Sequence, residues 1–157
     1  SLKIFIVLAE YNPNIWTQFY YEPRFKPSFS QKRLFEAGYF GKKTGRGFYN
    51  YAEDAEILTP KQDETLGEYI KNRILVMLIN EAADAVLFQI GSVEDIDMAM
   101  MKGVNYSRGL LKWADEIGIE TIVNQLDALF EEYHDSRYRC SSLLRKLKTN
   151  GSTLYSN

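Results

Sequence analysis

Cys140 is the only cysteine and His134 the only histidine of the 157 residues. One cysteine excludes an internal disulfide and, with no clear secretion signal, fits a cytoplasmic protein. The apolar start SLKIFIVL has no small-residue cleavage site before Glu10 and Tyr11, so it reads as helix packing surface in a chain that begins inside a larger polypeptide. Neither charge sign dominates: the net charge is −2, which gives no global pull toward nucleic acid or an anionic membrane. Period-2 alternation is missing as well, which excludes a half-buried sheet and leaves an all-α fold.

What is present is one long apolar stretch, Tyr69 to Gln89, without proline or glycine. Its unbroken run from Ile74 to Ile79, continued by Ala82, Ala83, Val86, Leu87 and Phe88, predicts a central buried helix over about 69–89. Asn72, Arg73, Asn80, Glu81 and Asp84 make it too polar to cross a bilayer, and packing must satisfy or use those groups. With 45% hydrophobic residues, a chain this long buries roughly two-thirds of its unfolded surface.

Local signals divide the rest. Asn12-Pro13 starts a helix running to about Tyr21, and Pro23 and Pro27 bracket an extended link. Ser28 with Gln31 caps a short basic helix that ends at Gly38. Gly38 to Tyr51, GYFGKKTGRGFYNY, is too irregular for helix or strand and reads as a structured loop with aromatic anchors, a clasp pinned to the helices by Phe48, Tyr49 and Tyr51. Thr59-Pro60-Lys61-Gln62 forms a further capping box before the central helix, which Gly67 interrupts and Gly91 closes. Ser92 and Asp95 cap VEDIDMAMMK, the loop VNYSRG precedes LLKWADEI, Gly118 separates it from Ile119 to Tyr133, and Ser141 starts a last helix stopped by Asn150-Gly151.

The tail repeats an earlier piece. YYEPRFKPSFSQKRLFEAG from Tyr20 aligns without a gap on YHDSRYRCSSLLRKLKTNG from Tyr133, pairing Arg24 with Arg137, Ser28 with Ser141, Leu34 with Leu147 and Gly38 with Gly151. Both copies encode a helix end, an arginine-aromatic-basic link, a serine cap and a helix with cations in its later turns. Residues 1–51 therefore read as the tail of a first helical unit plus the clasp, 52–65 as a linker, 66–151 as a complete second unit and 152–157 as a tail. The chain would be part of a tandem array.

At this point a family comes into view. The clasp, NRILVMLINEAADAV, GSVEDIDMAMMKGVNYSRGLLKWADEIG and RYRCSSLLRKL, in that order, resemble the C-terminal helical region of 3-hydroxyacyl-CoA dehydrogenases, especially bacterial 3-hydroxybutyryl-CoA dehydrogenases with two such units. The resemblance implies an NAD-binding Rossmann domain upstream, an acyl-CoA substrate, and a helical region that builds a homodimer and one wall of the active cleft. It also places Asn72 of Ile70-Lys71-Asn72-Arg73 where the family's first unit carries a site asparagine, although here the motif stands in the second unit, where a relic or helix-capping role is expected. No G-x-G-x-x-G follows a strand, so NAD belongs to the absent portion, as do the family's catalytic histidine and glutamate. The other reading is a non-catalytic interaction module derived from that family, with the basic clasp as its binding face. Ser107 and Leu110 replace family prolines in GVNYSRGL, which predicts a looser loop.

Other residues invite sharper chemistry. His134 beside Asp135 suggests a base and its orienter, against a plain helix end. Cys140 reads as a quiet thiol. Lys42, Lys43 and Arg46 among Gly41, Gly45 and Gly47 suggest a phosphate cradle, for example for coenzyme A, against a structural clasp; Glu36 stands where a Walker loop needs its first glycine. Asn80, Glu81 and Asp84 suggest hydrogen bonds to neighbouring helix N-termini rather than a metal site.

Overall fold

The computed structural model describes residues 27–56, 59 and 62–155, in two compact units divided between Gln62 and Asp63. The expected helix from Asn12, the link at Pro23 and the packing of SLKIFIVL lie outside the described residues. Among the described residues there are six α-helices, two short 3₁₀ turns and no strand. The all-α expectation holds. None of the described helices is long and apolar enough to cross a membrane.

The first unit contributes α1, Phe29–Glu36, and a 3₁₀ turn at Lys42–Thr44. Ser28 caps α1 by accepting from the Gln31 N–H, and Gly38 closes it at φ 72, a left-handed conformation that favours glycine. No residue of α1 is buried. In the clasp, Phe48 and Tyr49 are 73% and 60% exposed and Tyr51 lies at an exposed position, so the predicted pinning to helices is not what holds this loop. Short hydrogen bonds within the loop hold it instead.

The second unit holds α2, Glu64–Leu87; α3, Val93–Gly103; α4, Leu110–Ile117; α5, Ile119–Tyr133; a 3₁₀ turn, Ser136–Tyr138; and α6, Ser142–Asn150. The central helix starts earlier than predicted because Asp63, not Thr59, accepts from the Leu66 N–H; it runs unbroken through Gly67 for roughly 36 Å. Only its second half is a core helix. Leu66, Tyr69, Ile70 and Ile74 stay exposed, and burial begins at Leu75. From there Val76, Ile79 and Ala83 pack with Leu111, Ala114, Ile122, Leu126 and Leu144. Phe130, one residue after the buried Leu129, remains exposed.

Gly91 does not close α2 either. The chain turns left-handed at Gln89, φ 58, while the Gln89 N–H donates to Val86 and the Ile90 N–H to Ala85, the two bonds of a Schellman ending. A side chain in that conformation is strained. Gln89→Gly is therefore expected to stabilise the chain by about 0.5–1 kcal/mol in urea denaturation, the net of relieved strain and added unfolded-state freedom. A lower midpoint would contradict that account of the helix end.

The two echo segments share three backbone hydrogen bonds at matching positions, although Ser28 accepts from the residue three on and Ser141 from the residue two on. Lys32 N–H donates to Ser28 and Arg145 N–H to Ser141; Gly38 to Phe35 and Gly151 to Lys148; Tyr39 to Leu34 and Ser152 to Leu147. Gly151 is left-handed like Gly38. The environments differ, since Leu147 is buried and α1 buries nothing.

Candidate functional site

Asn72 stands more than two turns inside α2, because that helix begins at Glu64. It cannot cap a terminus, which removes one of its expected roles. Its side chain lines a groove of about 250 Å³ between α2 and α5, together with Tyr69, Arg73 and Val76 on one side and Gln125, Ala128, Leu129 and Glu132 on the other. Each set recurs at helical i, i+3, i+4, i+7 spacing, so two amphipathic stripes run side by side. Val76 and Leu129 form a buried floor, and the carboxamides of Asn72 and Gln125 stand at the rim.

Arg73 forms one wall and is fixed by tyrosines. Its guanidinium lies 4.3 Å from the Tyr133 ring centroid and 5.2 Å from that of Tyr138, and it donates to the hydroxyls of both. The hydrogen bond to Tyr138 holds the Arg73 pKa above its ordinary value. Hydrogen bonding with Tyr69 and then Glu132 pushes the Tyr133 phenol up to about 12, so it stays neutral at physiological pH. The groove thus offers the amides of Asn72 and Gln125, phenols, the Arg73 cation and the Glu132 carboxylate, groups that can orient a bound polar ligand.

The sharper sequence readings separate here. His134 is exposed and left-handed at φ 48 where it ends α5, with its ring edge-on to Phe130. Asp135 does not orient it; that carboxylate accepts from the Arg137 N–H and faces the Arg137 guanidinium. Cys140 is buried, and burial raises its thiol to about 11, so it is protonated and quiet at neutral pH. Asn80 receives the Ser141 N–H, the start of α6, as expected for a group serving a neighbouring helix, and Asp84 pairs with Arg139. No cluster of histidine, cysteine and carboxylates among the described residues suits a metal. Asp97 and Gln125, which the sequence reading passed over, were visible only as polar residues on the apolar stripes of α3 and α5.

The glycine-rich segment lacks the strand–turn–helix setting of a Rossmann phosphate loop. The glycine-rich segment is a 3₁₀ turn with isolated bridges at Gly41, Arg46 and Asn50, and no strand delivers it to a helix N-terminus. The family described as 3-hydroxyacyl-CoA dehydrogenase, C-terminal domain, matches residues 6–51 and 69–154. A 3-hydroxyadipyl-CoA dehydrogenase of Escherichia coli (strain K12) is 45% identical over 47% of this chain and 16% of its own length. A 3-hydroxybutyryl-CoA dehydrogenase of Bradyrhizobium diazoefficiens is 41% identical over 53% of this chain and 28% of its own. The crystal structure of a 3-hydroxybutyryl-CoA dehydrogenase from Escherichia coli shares the fold across 96% of this chain and 51% of that one, with TM-score 0.70 and 24% identity. The chain therefore spans well under half of the curated relatives it matches.

Proposed function

Since the chain belongs to the 3-hydroxyacyl-CoA dehydrogenase C-terminal domain family, we propose that it is the helical portion of an NAD-dependent 3-hydroxybutyryl-CoA dehydrogenase. In this reading it supplies dimerisation and cleft support, while a Rossmann domain elsewhere in the parent polypeptide holds NAD and the catalytic histidine and glutamate. One observation carries the reading: a match confined to the helical domain, on residues that build no dinucleotide site. A cytoplasmic location belongs to the same proposal, supported by the single cysteine of the sequence. The paired matches and the three corresponding backbone hydrogen bonds of the echo support a tandem arrangement, with the second unit from about Leu66 to Gly151.

Within that reading Asn72 is a relic position whose amide borders the groove without serving hydride transfer. Calorimetric titration of this chain with NADH is expected to give no heat of binding, and tight NADH binding would overturn the assignment of redox chemistry elsewhere. In the parent enzyme, Asn72→Ala is expected to change kcat/KM for acetoacetyl-CoA by less than about twofold, whereas loss of an amide that stabilises developing charge costs about 100-fold or more. A loss of that size would make Asn72 a catalytic residue.

A further inference from the structure

The clasp is the one motif that a scaffold role leaves unused. Its loop is closed by groups other than its cations. Thr44 Oγ accepts from the Phe40 N–H at 2.9 Å and lies 3.0 Å from the Arg46 carbonyl; the Gly41 N–H donates to Arg46 and the Tyr51 N–H to Gly45. Gly41 and Gly45 take left-handed turns, and a Cβ on Gly47 would lie 2.8 Å from the Gly41 Cα, so the two arms of the strap touch backbone to backbone. This is a preformed loop.

On it sit Lys42, Lys43 and Arg46, with no aspartate or glutamate between Gly38 and Tyr51. Arg46 rests on the Tyr39 ring at 4.7 Å and Lys42 lies 5.9 Å from the Tyr51 ring, contacts that place the charges without neutralising them. Among the described residues of the first unit, the Glu36 carboxylate pairs with Lys32 and Arg33 of α1. On the same loop, the Phe48 and Tyr49 rings are among the most exposed large apolar groups of the described residues. Three cations and two open rings on a rigid loop form a local exception in a chain of net charge −2. The matching ligand carries clustered phosphates next to a flat heterocycle.

We propose that the Gly38–Tyr51 clasp is a handle for the 3′-phospho-ADP end of coenzyme A, its cations taking the phosphates and Phe48 and Tyr49 offering stacking faces to adenine. The choice of coenzyme A over other nucleotides rests on the acyl-CoA reading above. Because backbone and Thr44 close the loop, removing the charges leaves it folded, and the proposal can be tested without unfolding the site.

The test is titration of the chain with coenzyme A, 3′,5′-ADP, dephospho-coenzyme A and pantetheine, followed by calorimetry and amide chemical shifts. Coenzyme A and 3′,5′-ADP are expected to bind alike, dephospho-coenzyme A several-fold more weakly, and pantetheine not at all. Lys42→Gln/Lys43→Gln/Arg46→Gln should weaken coenzyme A binding at least about tenfold with an unchanged melting curve, and Phe48→Ala should weaken it about fivefold or more, as loss of a stacking ring does. Pantetheine binding as well as coenzyme A, an unaffected triple variant, or no coenzyme A binding at millimolar concentration each overturns the handle. So does an oligonucleotide that binds more tightly than coenzyme A, which would make the clasp a nucleic-acid surface. Failure of the handle leaves the dehydrogenase assignment standing; that assignment falls on the NADH titration.

Discussion

Replacing Asp97 by alanine is expected to lower the unfolding free energy by about 3 kcal/mol or more, the cost of leaving buried donors without their charged acceptor. The reason lies in how α4 begins. Gly109 occupies its N-cap position and has no side chain to accept the free N–H groups of the first turn. Asp97, 2% exposed on α3, does so from outside: it accepts from Leu111 at 2.8 Å, from Lys112 at 2.9 Å, and from the Tyr155 hydroxyl at 2.7 Å. One carboxylate therefore caps α4 and ties down the C-terminal tail. Gly109 makes the approach possible, because a Cβ there would overlap the carboxylate.

Tyr155→Phe, which removes one of the three bonds, should cost only about 1 kcal/mol. Gly109→Ala should approach the cost of Asp97→Ala, since the carboxylate must leave its donors. Urea denaturation of the four proteins checks the order. An Asp97→Ala loss under 1 kcal/mol, or a Tyr155→Phe loss that equals it, would refute the account of α4 as capped from α3.

Local signals in the sequence and distant ones fared differently, and the reason is physical. Ser92 with Asp95, Gly118, Ser141 and Gly151 mark helix ends through bonds spanning only a few residues, so α3 begins, α4 stops and α6 both begins and stops where their own residues say. Asp63 caps α2 through the Leu66 N–H, while the capping box read at Thr59-Pro60-Lys61-Gln62 includes residues outside the described ones. Gln89 in a left-handed turn was invisible, since nothing in a glutamine announces positive φ. The cap that Asp97 gives α4 and the groove between Asn72 and Gln125 join separate helices, and a pattern read along one strand of sequence cannot pair them. The half-exposed α2 teaches the same lesson. Its apolar run states what water disfavours, while burial begins only at Leu75, next to an exposed Ile74, and the preceding turns meet α5 across the groove rather than in the core.

Asn80 makes the second large prediction, and its pH dependence separates hydrogen bonding from packing. Its amide is 1% exposed; Nδ2 donates to the Arg139 carbonyl at 2.9 Å and Oδ1 accepts from the Ser141 N–H at 2.7 Å. It thereby fixes the strap before α6 to the middle of α2, next to the Asp84–Arg139 ion pair. Asn80→Ala is expected to cost about 2–4 kcal/mol, from a small cavity and two backbone groups left unpaired. Asn80→Asp keeps the shape and the acceptor but turns a second lone pair on the Arg139 carbonyl, so the ionised form should be at least as costly near neutral pH. Protonated, the same carboxyl can donate to Arg139 and accept from Ser141, as the amide does. Burial and the nearby Asp84 raise the folded-state pKa of the new acid above its unfolded value of about 4. The stability it contributes is then present below that unfolded value and lost as pH rises through the folded one. The gap in unfolding free energy between the native chain and Asn80→Asp should accordingly shrink as pH falls toward about 4, while the gap for Asn80→Ala stays level. Parallel pH profiles for the two variants would mean that Asn80 matters for its volume and not for its two hydrogen bonds.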